Sequence, residues 1–376
     1  MRIIFAGGGT AGHINPALAV AGYVREQQPD AQILYVGAVG GMEERLVKQA
    51  GLEFRGIKIS GFSRKLTLLG LKKNVTTLKR IITASIESRK IIEEFKPDIC
   101  VGTGGYVSGP VLRKAAQMGI PVIIHEQNAF PGITTKMLAH KAEYVMLAVE
   151  QAEKFFDDKC KVVITGNPVR KEVISATQRE AKAKLKLDDR PVILSFGGSL
   201  GARKINEAVI ELIADTAKTD AFQHIHAYGQ FGQWFLPALE EKGVRPSEHP
   251  NLDIREYIND MQTCLAAADL VICRAGAITL SELQAQGKAS ILIPSPNVAE
   301  NHQYHNAMAL VSNRAASIIE EKDLTGEALV RKVKDLLSQP DLLREYQQNA
   351  RKMAICDANE RIYAIIEKVG VPSATI

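Results

Sequence analysis

Twice in this chain a short apolar strand runs into a glycine-rich turn and then a helix. Ile3–Ala6 enters Gly7-Gly8-Gly9-Thr10-Ala11-Gly12-His13, and Val192–Phe196 enters Gly197-Gly198-Ser199-Leu200-Gly201. A strand that turns straight into a helix continues as a βαβ unit, so the two openings predict two doubly wound parallel sheets of α/β class. The flanking segments obey the same grammar. Apolar runs at 33–36, 99–101, 122–125, 144–147 and 162–165 extend the first half, and runs at 224–228, 252–255, 270–273 and 290–294 extend the second. Helical spacing follows each turn, through Ala17, Val20, Ala21 and Val24 in one case and Ile205, Ala208, Val209 and Leu212 in the other. Asn15 and Pro16 suit the cap and first position of the first helix. A chain of 376 residues exceeds what one core usually holds. The junction is expected at Gly166-Asn167-Pro168-Val169-Arg170, where a proline ends the sheet.

The accessories of the first turn narrow its ligand. Its spacing is Gly7-x-Gly9-x-x-Gly12, yet His13 stands where a nucleotide-binding P-loop carries Lys and Ser/Thr. The second strand runs out into Gly37-Ala38-Val39-Gly40 with no acid placed for a ribose hydroxyl, which disfavours NAD and an oxidoreductase. Cys100, Cys160, Cys264, Cys273 and Cys356 form no C-x-x-C pair and no His/Cys cluster, so they read as reduced cytosolic thiols. No charged leader or long uncharged apolar run is present, and a chain neither exported nor membrane-spanning is expected. The net charge of +5 suits acidic ligands or an anionic surface without calling for nucleic acid.

Four further segments carry chemistry. Gly102-Thr103-Gly104-Gly105-Tyr106-Val107-Ser108-Gly109-Pro110 is a second glycine turn in the first half, and its amides can converge with those of the first turn on one diphosphate. Alternatively its glycines only permit a tight βα connection. His125-Glu126-Gln127-Asn128 crowds polar groups at a strand's carboxyl end, where open sheets place ligands. Asn128 is the better ligand candidate, while His125 and Glu126 either support the site, orienting each other, or stabilise the domain edge. Arg274-Ala275-Gly276-Ala277-Ile278-Thr279 opens a helix whose free amides suit a phosphate, with Glu282 one turn along to accept ribose hydroxyls or to serve as a solvated charge. Glu300-Asn301-His302-Gln303-Tyr304-His305-Asn306 offers amide and imidazole groups for a sugar, or caps a surface helix.

Together these motifs, with Gly166-Asn167-Pro168-Val169-Arg170, Gly201-Ala202-Arg203 and Cys273-Arg274-x-Gly276-Ala277-x-Thr279-x-x-Glu282, resemble the MurG family along essentially the whole chain. That family adds N-acetylglucosamine to lipid-linked N-acetylmuramyl-pentapeptide in bacterial cell-wall synthesis. The resemblance implies a GT-B fold, with residues 1–167 and 358–376 forming an acceptor and lipid-side domain, residues 168–357 a UDP-sugar domain, and a cleft between them. It implies donor contacts from Thr10, Ala11, Gly12, Asn128, Arg170, Ser199, Ile258, Ala277, Ile278, Thr279, Glu282 and Gln303. Gly9, Gly12, Gly104, Gly105 and Tyr106 would hold the acceptor diphosphate. Leu200 stands where Gln is common, and His302 where relatives can carry a Gln before Gln303.

An inverting transfer needs a base for the acceptor hydroxyl and stabilisation for departing UDP. The chain has no D-x-D triplet, so helix N-termini and Arg170 are expected to act in place of a metal, with no cofactor. His13 is the candidate base, expected just ahead of a helix N-terminus that favours its neutral form; the competing role is a hydrogen-bond donor to the acceptor phosphate. Between Phe62 and Arg80, six Lys/Arg (Arg64, Lys65, Lys72, Lys73, Lys79, Arg80) occur without an acid beside the apolar Leu66, Leu68, Leu69 and Leu71, which suits peripheral docking on the anionic cytoplasmic leaflet of the cell membrane. The rival readings are a UDP-N-acetylglucosamine epimerase and a non-catalytic membrane adaptor.

Overall fold

A computed structural model describes residues 1–59, 68–217 and 219–371, with the side chains of residues 68–79 and 81 outside the description. The chain divides into two compact units, Met1–Pro168 with Asp357–Ile376, and Val169–Cys356.

The first unit is built on seven parallel strands: β1 (Arg2–Gly7), β2 (Gln32–Ala38), β3 (Glu53–Ile57), β4 (Ile99–Gly104), β5 (Val122–Glu126), β6 (Tyr144–Leu147) and β7 (Val162–Ile164), in the order β3-β2-β1-β4-β5-β6-β7. Register pairs Phe5 with Tyr35 on one side and Val101 on the other. Alternate residues of β1 feed opposite layers, which is why the strand reads as a continuous apolar run. Ile3 and Phe5 pack with Ala17, Val20 and Val24, together with Ile362 and Ile366 of the helix Ala358–Gly370. Ile4 and Ala6 pack with Val107, Val111 and Leu112 on the other face. Each buried Val, Leu, Ile or Phe among these contributes about 1.5–3 kcal/mol.

The second unit repeats the plan with β8 (Val192–Phe196), β9 (Gln223–Ala227), β10 (Leu252–Arg255), β11 (Leu270–Cys273), β12 (Ala289–Leu292) and β13 (Ser317–Ile318), ordered β10-β9-β8-β11-β12-β13. Two strands have no counterpart among the sequence expectations. β3 is an edge strand carrying Glu53 and Arg55 on exposed positions, so it shows no apolar run, and β13 is two residues long.

One boundary differs in a way that matters. The first helix spans Ala11–Gln27, with extended Thr10 as its cap, so Asn15 is not the cap and Pro16 lies inside the helix. His13 therefore sits in the first turn, its amide and that of Ile14 both donating to the Thr10 carbonyl, rather than ahead of the helix. Pro16 has no amide to donate to the Gly12 carbonyl, so the helix forgoes one hydrogen bond there.

Chain order reverses between β1 and β4 in the first sheet, and between β8 and β11 in the second. At these switch points the connections leave in opposite directions and open a crevice at the strands' carboxyl ends. All the glycine turns predicted to carry chemistry lie there: Gly7–Gly12 after β1, Gly104–Gly105 after β4, Gly197–Gly201 after β8, and Arg274–Thr279 after β11.

Candidate active site

In the first unit the two glycine turns interlock. Gly105 has φ +80°, and a methyl group there would stand 2.1 Å from the Gly8 carbonyl oxygen; at Gly104, φ +99°, it would stand 2.9 Å from His13 Nδ1. The Thr103 hydroxyl donates to the His13 carbonyl oxygen at 2.7 Å, tying β4 to the first turn of the helix. Tyr106 lies against Gly9, whose added Cβ would meet its ring at 2.9 Å. The turns therefore converge around His13 through backbone contact, and glycine is required where a Cβ would intrude. Replacing Gly104 with Ala should displace the His13 ring and lower turnover by about 10²-fold, the effect of a misplacement near 1 Å. Steady-state kinetics beside a thermal melt check this; wild-type kcat in a folded variant would contradict it.

A carboxylate that the sequence reading did not anticipate also reaches the turn after β2. Glu43 is fully buried, and its oxygens accept from the amides of Ala38 at 2.9 Å and Gly9 at 3.4 Å. It lies five residues beyond the place where a ribose-binding acid ends such a strand, and it is engaged by backbone donors. No local motif marks it, since its position depends on the helix Met42–Gln49 folding back over Gly37 and Gly41. Thr10, Ala11 and Gly12 are exposed at the start of the first helix.

The His125-Glu126-Gln127-Asn128 segment comes off the end of β5, and its side chains alternate. His125 Nε2 lies 2.8 Å from the Gly166 carbonyl oxygen, and its Nδ1 lies 3.0 Å from Gln127 Nε2. Gln127 Nε2 also donates to the His125 carbonyl at 3.0 Å, while Gln127 Oε1 lies 3.1 Å from His13 Nδ1. Burial lowers the His125 pKa, keeping the ring neutral. Glu126 turns the other way, accepting from the Asn128 amide (3.1 Å) and side chain (3.0 Å), the Gly132 amide (3.0 Å) and the Thr135 hydroxyl (2.6 Å). His125 and Glu126 thus do not orient each other, because successive strand residues face opposite sides. Glu126 instead positions Asn128, which remains half-buried.

In the second unit, Ser199 and Leu200 are exposed in the turn after β8. That turn is braced by the connection after β9, where the Gln230 and Phe231 amides donate to the Ser199 and Leu200 carbonyls. Gly201 (φ +85°) and Gly229 (φ +78°) touch backbone to backbone. The helix Ala277–Gln286 starts from Gly276, leaving half-buried Ala277, Ile278 and Thr279 in its first turn. Further along, Glu282 meets Arg170, Nη2 to Oε1 at 3.2 Å, although 112 residues separate them. Burial raises the Glu282 pKa, opposed by Arg170. Ile258 is buried in the loop after β10, and Gln303 Oε1 accepts from the Ser295 amide at 2.8 Å, which leaves its NH₂ end for other work. Arg274 is structural, since its guanidinium donates to the Ile293 and Pro294 carbonyls and pairs with Glu321.

Among the described residues one group of potential metal ligands is close enough to share an ion, His140, Asp157 and Cys160. It belongs to the connections around β6 and β7 and not to any of these turns. The basic segment falls largely outside the described residues: 60–67 are not described, nor are the side chains of 68–79 in the helix Leu68–Phe95. No helix among the described residues is long and apolar enough to cross a membrane.

Two Rossmann-like parallel sheets, each with its glycine turns at the switch point, are the sheets of a GT-B fold, and the family matches make this one a glycosyltransferase. Residues 3–147 match the N-terminal domain of glycosyltransferase family 28, and residues 192–362 match its C-terminal domain. A protein of Acetivibrio thermocellus is 45% identical over 98% of both chains, and one of Thermoanaerobacter sp. strain X514 is 44% identical over 98% of this chain and all of the relative. Both are called UDP-N-acetylglucosamine--N-acetylmuramyl-(pentapeptide) pyrophosphoryl-undecaprenol N-acetylglucosamine transferase. The crystal structure of Acinetobacter baumannii MurG superposes with a TM-score of 0.78 at 31% identity, covering 98% of this chain and 99% of that one. The chain belongs to the MurG family of these transferases.

Proposed function

We propose that the protein transfers N-acetylglucosamine from UDP-N-acetylglucosamine to the C4 hydroxyl of N-acetylmuramyl-pentapeptide pyrophosphoryl-undecaprenol, with inversion and without a metal ion. The observation that carries this reading is the interlocking of the two glycine turns around His13 at the first sheet's switch point, which puts amide donors and one imidazole in a single place. The relatives' names supply the substrate pair. Gly9, Gly12, Gly104, Gly105 and Tyr106 would hold the acceptor diphosphate, the Gly9 amide exchanging Glu43 for the ligand. Ser199 and the Ala277–Thr279 turn would hold the UDP diphosphate, Glu282 the ribose, Ile258 the uracil, and Asn128 and Gln303 the sugar, with Thr10, Ala11 and Gly12 completing the donor contacts. Arg170, released from Glu282 by the nucleotide, would offset charge on the departing phosphate.

In the reaction the C4 oxygen forms a bond to the anomeric carbon as its proton passes to His13. The bond from that carbon to the phosphate oxygen breaks, and its electron pair leaves with UDP. Radiolabel transfer from UDP-N-acetylglucosamine to the lipid-linked acceptor, in the presence of a chelator, tests the proposal. Expected is β-linked disaccharide lipid at an undiminished rate; no transfer, or conversion of the donor to an epimer, would refute it.

For the membrane, we infer that Phe62–Arg80 docks the enzyme on the anionic cytoplasmic leaflet. Its leucines supply apolar surface, and each nearby Lys or Arg contributes about 1 kcal/mol toward anionic lipid. Binding to phosphatidylglycerol vesicles should weaken as salt rises and weaken again in a Lys72→Glu, Lys73→Glu variant. Cosedimentation indifferent to both changes would remove this role.

A further inference from the structure

We propose that Gln127 and His125 are positioning residues that set the tautomer of His13, leaving Nε2 as the ring's basic atom. The inference rests on the reading of His13 as the general base, and it follows from the polarity of one hydrogen-bonded chain running from Gly166 to His13.

Two backbone carbonyls fix that polarity, because a carbonyl oxygen can only accept. The Gly166 oxygen, 2.8 Å from His125 Nε2, requires the proton to be on that nitrogen. The His125 carbonyl, 3.0 Å from the side-chain nitrogen of Gln127, requires the NH₂ end of that amide to face His125. The same NH₂ group lies 3.0 Å from His125 Nδ1, which in the neutral ring carries a lone pair and accepts. His125 is 2% exposed, and burial favours the uncharged ring that this arrangement needs. The oxygen end of Gln127 is thereby turned to His13 Nδ1 at 3.1 Å, and Nδ1 must donate. Neutral His13 then has its lone pair on Nε2.

The rest of the surroundings immobilise the ring. The Thr103 hydroxyl holds the His13 carbonyl, and the bare Cα of Gly104 leaves room for the imidazole. The Asn167 side chain donates to the Gln127 carbonyl at 3.2 Å, so the relay is clamped from the end of β7 as well. Free histidine in water favours the opposite tautomer, with the proton on Nε2, which could not take a proton from a hydroxyl at that atom. When Nε2 accepts the acceptor's proton, the Nδ1–H bond to Gln127 becomes charge-assisted and shortens, so the relay also favours the imidazolium that the reaction forms. No carboxylate is involved, which distinguishes the arrangement from the Asp-His pair of hydrolases.

The test reads the ring and the rate separately. In ¹⁵N spectra of wild-type enzyme at alkaline pH, with the His13 signals assigned by their loss in His13→Gln, Nδ1 should resonate as a protonated and Nε2 as an unprotonated nitrogen. In Gln127→Leu the signals should move toward the Nε2-protonated form, with kcat lowered about 10–100-fold, the usual cost of losing such a supporting partner, and UDP-N-acetylglucosamine affinity unchanged. A wild-type Nε2–H signal, or a folded Gln127→Leu enzyme with wild-type kcat, would overturn the proposal. Failure of the base reading looks different: His13→Gln would retain turnover while the wild-type spectrum still showed Nδ1–H.

Discussion

Replacing His13 with Gln should lower kcat for sugar transfer by about 10²–10⁴-fold, the usual contribution of a positioned general base. That loss corresponds to about 3–5 kcal/mol of barrier. Gln keeps a hydrogen-bond donor but has no basic nitrogen, so it separates the two roles available to this residue. A base is missed in kcat. A donor to the acceptor phosphate is missed mainly in the acceptor KM, and an amide NH₂ can replace it in part. Donor binding should be unchanged by titration of UDP-N-acetylglucosamine. An unimpaired kcat would eliminate the base role, whatever happened to KM.

The second large effect is on stability in acid. Ser195 on β8 lies between two fully buried imidazoles of β9, with its Oγ 2.7 Å from both His224 Nε2 and His226 Nδ1. The hydroxyl donates to one ring and accepts from the other, which satisfies one neutral pair, and His226 stacks on Phe235 at 4.5 Å. His224 Nδ1 and His226 Nε2 have no partner among the described residues. Burial pushes the His224 pKa down to about 3, and burial together with its neighbour pushes His226 well below its ordinary value of 6.5. Both rings stay neutral in the folded protein, whereas the unfolded chain takes up protons below pH 6.5. Stability is therefore complete above that pH and declines as the pH falls toward the folded-state values. At pH 5 His224 alone should cost about 2 kcal/mol, with His226 adding in the same direction. Urea midpoints at pH 7 and pH 5 measure the loss, and a His224→Gln, His226→Phe variant should show a smaller difference. Equal pH sensitivity in the two proteins would contradict this account. Ser195 lies two residues before Gly197 and His226 two before Tyr228, so acid should loosen the Gly197–Gly201 turn from beneath.

Much of the fold was legible because parallel strands buried on both faces are continuous apolar runs, as in Val192–Phe196 and Leu270–Cys273, and glycine turns punctuate them. β3 escaped notice because an edge strand can carry Glu53 and Arg55 at no cost. The start of the first helix is not legible in the same way, since Pro16 suits a first position equally well, whereas extended Thr10 is the actual cap. Within the site, His13, Asn128, Arg170 and Glu282 could be singled out by residue type and by resemblance, and Gln127 could be read only as part of a motif.

Local sequence determined what each segment is: strand, glycine turn, helix start, and which polar groups stand at a strand's carboxyl end. Tertiary structure decided which of those groups meet. Gln127 reaches His13 across 114 positions and Arg170 reaches Glu282 across 112. Glu43 closes on the first turn through a helix folding back. The orientation of the Gln127 amide, and with it the proton on His13, is settled by carbonyl oxygens at His125 and Gly166, because hydrogen-bond polarity belongs to the assembled chain of donors and acceptors and to no single residue in it.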